Sequence, residues 1–203
     1  MTSINNNKKC DNNNNISIQS DVEEENNIKL TKSLDDLLIF SDEFDKINIL
    51  SKKIEELFLL SKSYLNTKVI NTINELENIN EVIFNYVYEK EIERGNIEYK
   101  RSLESYNKND KTNKLIRQIY WRIYEGVVSI DKECCYYIIG IEDSGSPSFL
   151  TKNEIFNSLY FICETLSNTE LNYSYLLVKN TLLNYEYLIV KFWPNISDLI
   201  DFF

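Results

Sequence analysis

Few side chains in this chain of 203 residues are of a type that carries chemistry, and their spacing decides what they can do. There is no histidine, which removes imidazole bases, histidine-dependent triads and histidine zinc sites. The four cysteines, Cys10, Cys134, Cys135 and Cys163, contain no C-x-x-C pair. Cys134 and Cys135 are adjacent in an extended run, so their side chains point to opposite faces and a vicinal disulfide is disfavoured. The acidic turn Glu142-Asp143-Ser144-Gly145 has the residue types of a cation site or a general base. No further ligands at metal spacing accompany it, and the plainer reading is a solvated turn with Asp and Gly in their usual places.

A different kind of chemistry is suggested between Glu98 and Glu125. Seven cations there oppose four carboxylates, a net of +3 in a chain of net charge −10. On the helix expected in this region, Lys114, Arg117 and Trp121 lie opposite the apolar stripe. A basic face with an aromatic plate is suited to RNA, through phosphate pairing and base stacking, or to a partner protein. The plainer reading packs Trp121 under the N-terminal helices and leaves the cations as a solvated rim. The tyrosines Tyr173, Tyr175, Tyr185 and Tyr187 invite comparison with sheets that stack bases. The K/R-G-F-G-F-V-like signature of such sheets is absent, so a sheet covered by residues 34–93 is expected instead.

The elements that must position these residues are readable from periodicity. Residues 1–33 are dominated by Asn, Ser and acidic groups and are expected to be a disordered tail. Residues 34–94 carry a helical pattern, with Leu50, Ile54, Leu57 and Leu60 among its apolar positions. Residues 95–203 form the α+β part. A strand is expected within Asn96 to Leu103, followed by a helix capped at Thr112, with the stripe Leu115, Ile116, Ile119 and Ile123, and ended by Gly126. A buried strand from Cys134 to Ile141 follows, stopped by Glu-Asp-Ser-Gly-Ser-Pro with Gly145 free to take a positive φ. A short return strand is expected near Pro147 to Phe149. Thr151 and Glu154 then form a capping box that opens a helix with Ile155, Leu159, Ile162 and Leu166 on one stripe. Two alternating runs, Tyr173 to Lys179 and Tyr185 to Trp193, read as a hairpin. In the last strand Leu188, Val190 and Phe192 share one face and Tyr185, Tyr187, Ile189 and Trp193 the other, so both faces are expected to be covered. The fold class is therefore α+β: a two-layer domain with a mixed or antiparallel sheet and two packed helices, preceded by a helical segment and the tail.

Composition narrows the function classes. An acidic chain is disfavoured as a non-specific binder of nucleic acid or anionic membrane. No apolar run of about 18 residues is present, and the polar N-terminus is unlike a signal peptide. A soluble chain in the reducing cytoplasm, with buried thiols and no membrane partner, is expected. With 4 Gly and 2 Pro, glycine-rich nucleotide loops are not favoured, and no cofactor is implied.

Four runs in series resemble one family. They are Gly95-Asn-Ile-Glu-Tyr-Lys100, Leu115-Ile-Arg-Gln-Ile-Tyr-Trp-Arg-Ile-Tyr-Glu-Gly126, Tyr137-Ile-Ile-Gly-Ile-Glu-Asp-Ser-Gly145, and Leu150 opening a helix with Ser158-Leu159. In order and spacing they resemble the N-terminal region of GTP-binding protein 1 and GTP-binding protein 2, which are elongation-factor-1-alpha-like translational GTPases. The segment between Gly126 and Tyr137 is longer here and polar, and Phe149 stands where the family has Gly. In the family this region leads into the GTPase domain and its phosphate loop. No G-x-x-x-x-G-K-[ST] occurs in this chain, so the backbone amides and Lys that hold nucleotide phosphates are missing and no catalytic or nucleotide-binding residue carries over. The resemblance implies a non-catalytic relative of that N-terminal domain, whether truncated, split or standing alone. It also implies an interaction module linked to translation or RNA surveillance, with a GTPase domain or the translation machinery as partner. The alternative is an RNA-binding module using Lys114, Arg117 and Trp121.

Overall fold

The computed structural model describes residues 41–61, 71–103 and 108–195. The Asn-rich tail lies outside them. In chain order they carry helix α1 over 41–60, the short helix α2 (Ile73–Glu77), strands β1 (Val82–Ile83) and β2 (Ile97–Lys100), and the long helix α3 (Lys108–Ile130). Strand β3 (Cys135–Ile139), helix α4 (Lys152–Leu166), and strands β4 (Leu171–Asn180) and β5 (Tyr185–Pro194) follow. The chain divides at Glu43, and the described residues from Phe44 onward belong to one compact unit.

The five strands form one mixed sheet in the order β1-β4-β5-β3-β2. β4 and β5 are the expected hairpin, antiparallel in the register Asn180↔Tyr185 to Leu171↔Pro194. β5 pairs antiparallel with β3, and the edge strands β1 and β2 run parallel to β4 and β3. The expected order of strands and helices from β2 to β5 is found, with the return strand reduced to a single bridge, Ile141↔Pro147.

One face of the sheet packs on α2, α3 and α4. Leu115, Ile119 and Ile123 of α3 meet Ile155, Leu159, Ile162 and Leu166 of α4 over Tyr137, Ile139, Leu177, Leu188, Val190 and Phe192. The helix α4 starts where its sequence directs, with the Thr151 hydroxyl accepting from the Glu154 amide and the Glu154 carboxylate accepting from the Thr151 amide. This is the expected two-layer arrangement, and α1 adds cover on the second face. Leu50, Ile54 and Phe58 of α1, with Tyr88, pack over Tyr136, Ile138, Leu176, Val178, Tyr187 and Ile189. Leu60, one of the apolar positions of the helical pattern, is 85% exposed, and Phe58 is buried instead because it stands one helical turn from Ile54.

Two further expectations change. The helix expected to be capped by Thr112 and ended by Gly126 runs from Lys108 to Ile130. Gly126 lies inside it because a Cβ there would meet the Lys132 carbonyl at 2.7 Å and the Asn96 Cβ at 2.8 Å. The glycine serves close approach, and the chain leaves the helix at Asp131, whose φ is 54°. The four tyrosines do not form one face: Tyr173 and Tyr175 lie on the α4 side, Tyr185 and Tyr187 on the α1 side. The hairpin register pairs Tyr175 with Val190 and Val178 with Tyr187, so odd-numbered residues of the two strands fall on opposite faces.

Candidate interaction face

The helix α3 is held to the sheet by charge as well as by its apolar stripe. Glu98 on β2 and Arg122 on α3 are both buried and form an ion pair. Arg122 Nη2 also reaches Glu91 at 2.7 Å, and Nη1 donates to the carbonyls of Glu93 at 3.0 Å and Gly95 at 3.2 Å. Lys100 and Gln118 donate to the second oxygen of Glu98. One guanidinium thus fixes the entry into β2 against the middle of α3, using the fork geometry that suits Arg to several oxygen acceptors. Burial, reinforced by the Glu98 carboxylate, pushes Glu91 up to about 7.

With the inward side fixed, the outward side of α3 is set. Lys114, Arg117 and Trp121 all lie exposed on one face, which is where the sequence places them. Trp121 is 44% exposed, against the reading that packs it under the N-terminal helices, because α1 covers the opposite face of the sheet. Its ring lies against the buried Arg122 guanidinium, 4.9 Å from its centroid, which orients the indole on the surface. Arg117 Nε donates to the Asn113 carbonyl at 3.3 Å. The same face continues into Tyr124, 50% exposed, and Val128, 65% exposed, two residues not singled out from the sequence. The signal was present in the 3-4-3-4 spacing of positions 114, 117, 121, 124 and 128.

The remaining chemistry-bearing residues serve the scaffold. In the acidic turn the Gly145 amide donates to the Glu142 carbonyl at 2.8 Å, Ser148 donates to the Glu142 carboxylate at 2.9 Å, and the Glu91 amide donates to the Asp143 carbonyl at 2.7 Å. Gly145 takes the expected positive φ of 86°, and a Cβ on it would meet the Tyr88 and Glu89 carbonyls at 2.5 Å. Among the described residues no group of three or more His, Cys, Asp or Glu is placed to hold a metal ion.

Cys134, Cys135 and Cys163 are buried and joined in no disulfide, Cys134 and Cys135 on opposite faces of the sheet. Cys134 borders a cleft of about 490 Å³ with Glu55, Phe58, Lys132, Lys191 and Trp193. Beside it Lys191 holds Glu55 at 2.8 Å and the Tyr136 hydroxyl donates to the same carboxylate. Burial works against the charge on Glu55, but these hydrogen bonds hold its carboxyl below the usual range. Burial pushes the Cys134 thiol up, which makes it a poor nucleophile at neutral pH.

Among the described residues no helix is long and apolar enough to cross a membrane. No family model, no curated protein and no solved structure matches the chain.

Proposed function

We propose that this chain is a non-catalytic interaction module related to the N-terminal region of the GTP-binding protein 1 and 2 family, acting in the cytoplasm through the outward face of α3. The observation that carries the reading is the joint exposure of Lys114, Arg117 and Trp121 opposite the buried stripe of a helix that is otherwise anchored. The four family-like runs support it differently. Gly95, Glu98, Arg122, Gly126 and Gly145 act as turn formers, close-approach sites and ion-pair partners, so those runs specify a scaffold. A partner in translation follows from the resemblance and is an analogy.

The purified chain titrated with the isolated GTPase domain of a family protein, and separately with ribosomes, is expected to show saturable binding to one of them. The double reversal Lys114→Glu with Arg117→Glu should abolish it while circular dichroism stays unchanged. Binding that survives the reversal, or turnover of GTP by the pure chain, would sink the reading. The second reading, an RNA-binding module, is favoured by the position of Trp121 beside two cations, the arrangement that stacks a base and pairs its phosphates. Oligouridine binding lost on Trp121→Ala is the result expected of it.

A further inference from the structure

The outward stripe of α3 is longer and more patterned than a patch of cations. Successive residues at 114, 117, 121, 124 and 128 advance by three and four positions, so at 3.6 residues per turn they lie in one narrow sector, opposite Leu115, Ile119 and Ile123. At about 1.5 Å per residue the stripe is ~21 Å long, close to four turns. Its first half is Lys114 and Arg117, and its second half is Trp121, Tyr124 and Val128, with no carboxylate in the line. Three-four spacing of large side chains on an exposed helix is the geometry in which a second helix packs along the first.

Charge identifies the occupant further. The two cations of the stripe, Lys114 and Arg117, stand at its amino-terminal end, and the last turn of α3 holds no cation. That is the reverse of the distribution that stabilises an isolated helix, whose amino end is already positive. Positive charge is therefore concentrated at one end of the stripe and apolar surface at the other. A second copy of α3 satisfies neither end: side by side in parallel the cations face each other, and antiparallel they face Tyr124 and Val128. RNA accounts for the cations and Trp121 but leaves Val128 without a role.

We infer that the face from Lys114 to Val128 docks an amphipathic helix of a partner protein, whose acidic residues lie along Lys114 and Arg117 and whose apolar residues pack on Trp121, Tyr124 and Val128. The inference rests on the reading of α3 as the interaction face and narrows the partner to one recognition mode, a helix read through anchors at i, i+3, i+4 and i+7.

The test is selection from a displayed library of random peptides of about 14 residues, roughly four helical turns. The full chain is the bait, and the full chain carrying Trp121→Ala and Arg117→Glu is the counter-selection. Enriched peptides are expected to combine acidic residues at one end with apolar residues at three-four spacing. Made synthetically, they should gain helicity on binding and lose affinity by about tenfold or more with either single substitution, as aromatic and Arg anchors do. Peptides enriched without that pattern, or no enrichment over the counter-selected chain, would overturn the inference. So would oligouridine binding that a selected peptide does not displace, or a dimer in sedimentation that Trp121→Ala dissociates. A GTPase domain or ribosome held through α3 while no helical peptide is enriched removes the helix and leaves the module.

Discussion

Glu98 on β2 and Arg122 on α3 face each other across the join between strand and helix, each side chain only 4% exposed. Removing one partner of a buried pair leaves the other charge without compensation, at a cost of about 3–5 kcal/mol. Arg122→Met is therefore expected to lower the unfolding free energy from urea titration by that amount, with Arg122→Lys close behind because an ammonium cannot reach Glu98, Glu91 and the Glu93 and Gly95 carbonyls together. The double change Glu98→Leu with Arg122→Met should recover part of the loss. A single Arg122→Met costing under about 1 kcal/mol would place the pair in the class of exposed ion pairs and remove the role given to it here.

The third member of that cluster makes stability depend on pH. Glu91 is raised from an ordinary value of 4.5 to about 7, by burial first and by Glu98 second, with Arg122 and Lys100 opposing. Between those two values the folded chain retains a proton that the unfolded chain has released. The contribution of this group is therefore fully present below about pH 4.5 and is lost as pH rises through about 7. The slope it adds is at most about 1.4 kcal/mol per pH unit, the value for one proton. Denaturation midpoints across this window are expected to fall with rising pH in the parent chain, and Glu91→Gln should remove that component. Parallel pH profiles for the two chains would contradict the assignment.

Gly126 sets helix propensity against space. Alanine is favoured over glycine inside a helix by about 1 kcal/mol. Here the added Cβ would lie 2.7 Å from the Lys132 carbonyl and 3.0 Å from that of Cys134, two backbone groups that cannot swing away. Gly126→Ala is expected to destabilise by about 1–3 kcal/mol, the range for overpacking, and to lower the thermal midpoint. A stabilised variant would show that the 131–134 turn yields easily.

What was legible in the sequence was local. The capping box at Thr151 and Glu154, the positive φ of Gly145 and the alternation of β5 depend on residues close together in the chain, and all three are found. What was not legible was set by partners far away. Thr112 and Gly126 are ordinary helix-end residues, and only the approach of Asn96 and Lys132 shows that the glycine is inside the helix for space. The faces of Tyr175 and Tyr187 depend on the pairing Val178↔Tyr187, which the turn between the strands decides and neither strand announces. The Glu98 and Arg122 pair joins two residues that the charge count treated as separate entries in a basic segment. For Trp121, Tyr124 and Val128 the spacing was visible, but an outward stripe is recognisable only when the inward one has been placed.

Helix α1 comes from the stretch 34–93 that was expected to cover the sheet, and its Leu50, Ile54 and Phe58 do cover Tyr136, Ile138, Leu176 and Ile189 on the second face. A fragment starting at Gly95 lacks that cover and also the Tyr88 hydroxyl that donates to Tyr187 at 3.1 Å. It is expected to bind a hydrophobic dye and to unfold without a cooperative transition, whereas a fragment starting at Phe44 should melt like the full chain. Ile54→Ala in the full chain isolates the same contact and should cost about 2–5 kcal/mol, as truncation of a fully buried aliphatic side chain does. If instead the Gly95 fragment melts cooperatively as a monomer, α1 is dispensable cover and the sheet with α3 and α4 is sufficient for folding. Failure of that fragment alone would make any partner studies on it uninterpretable, because an uncovered sheet face competes with α3 for whatever is added.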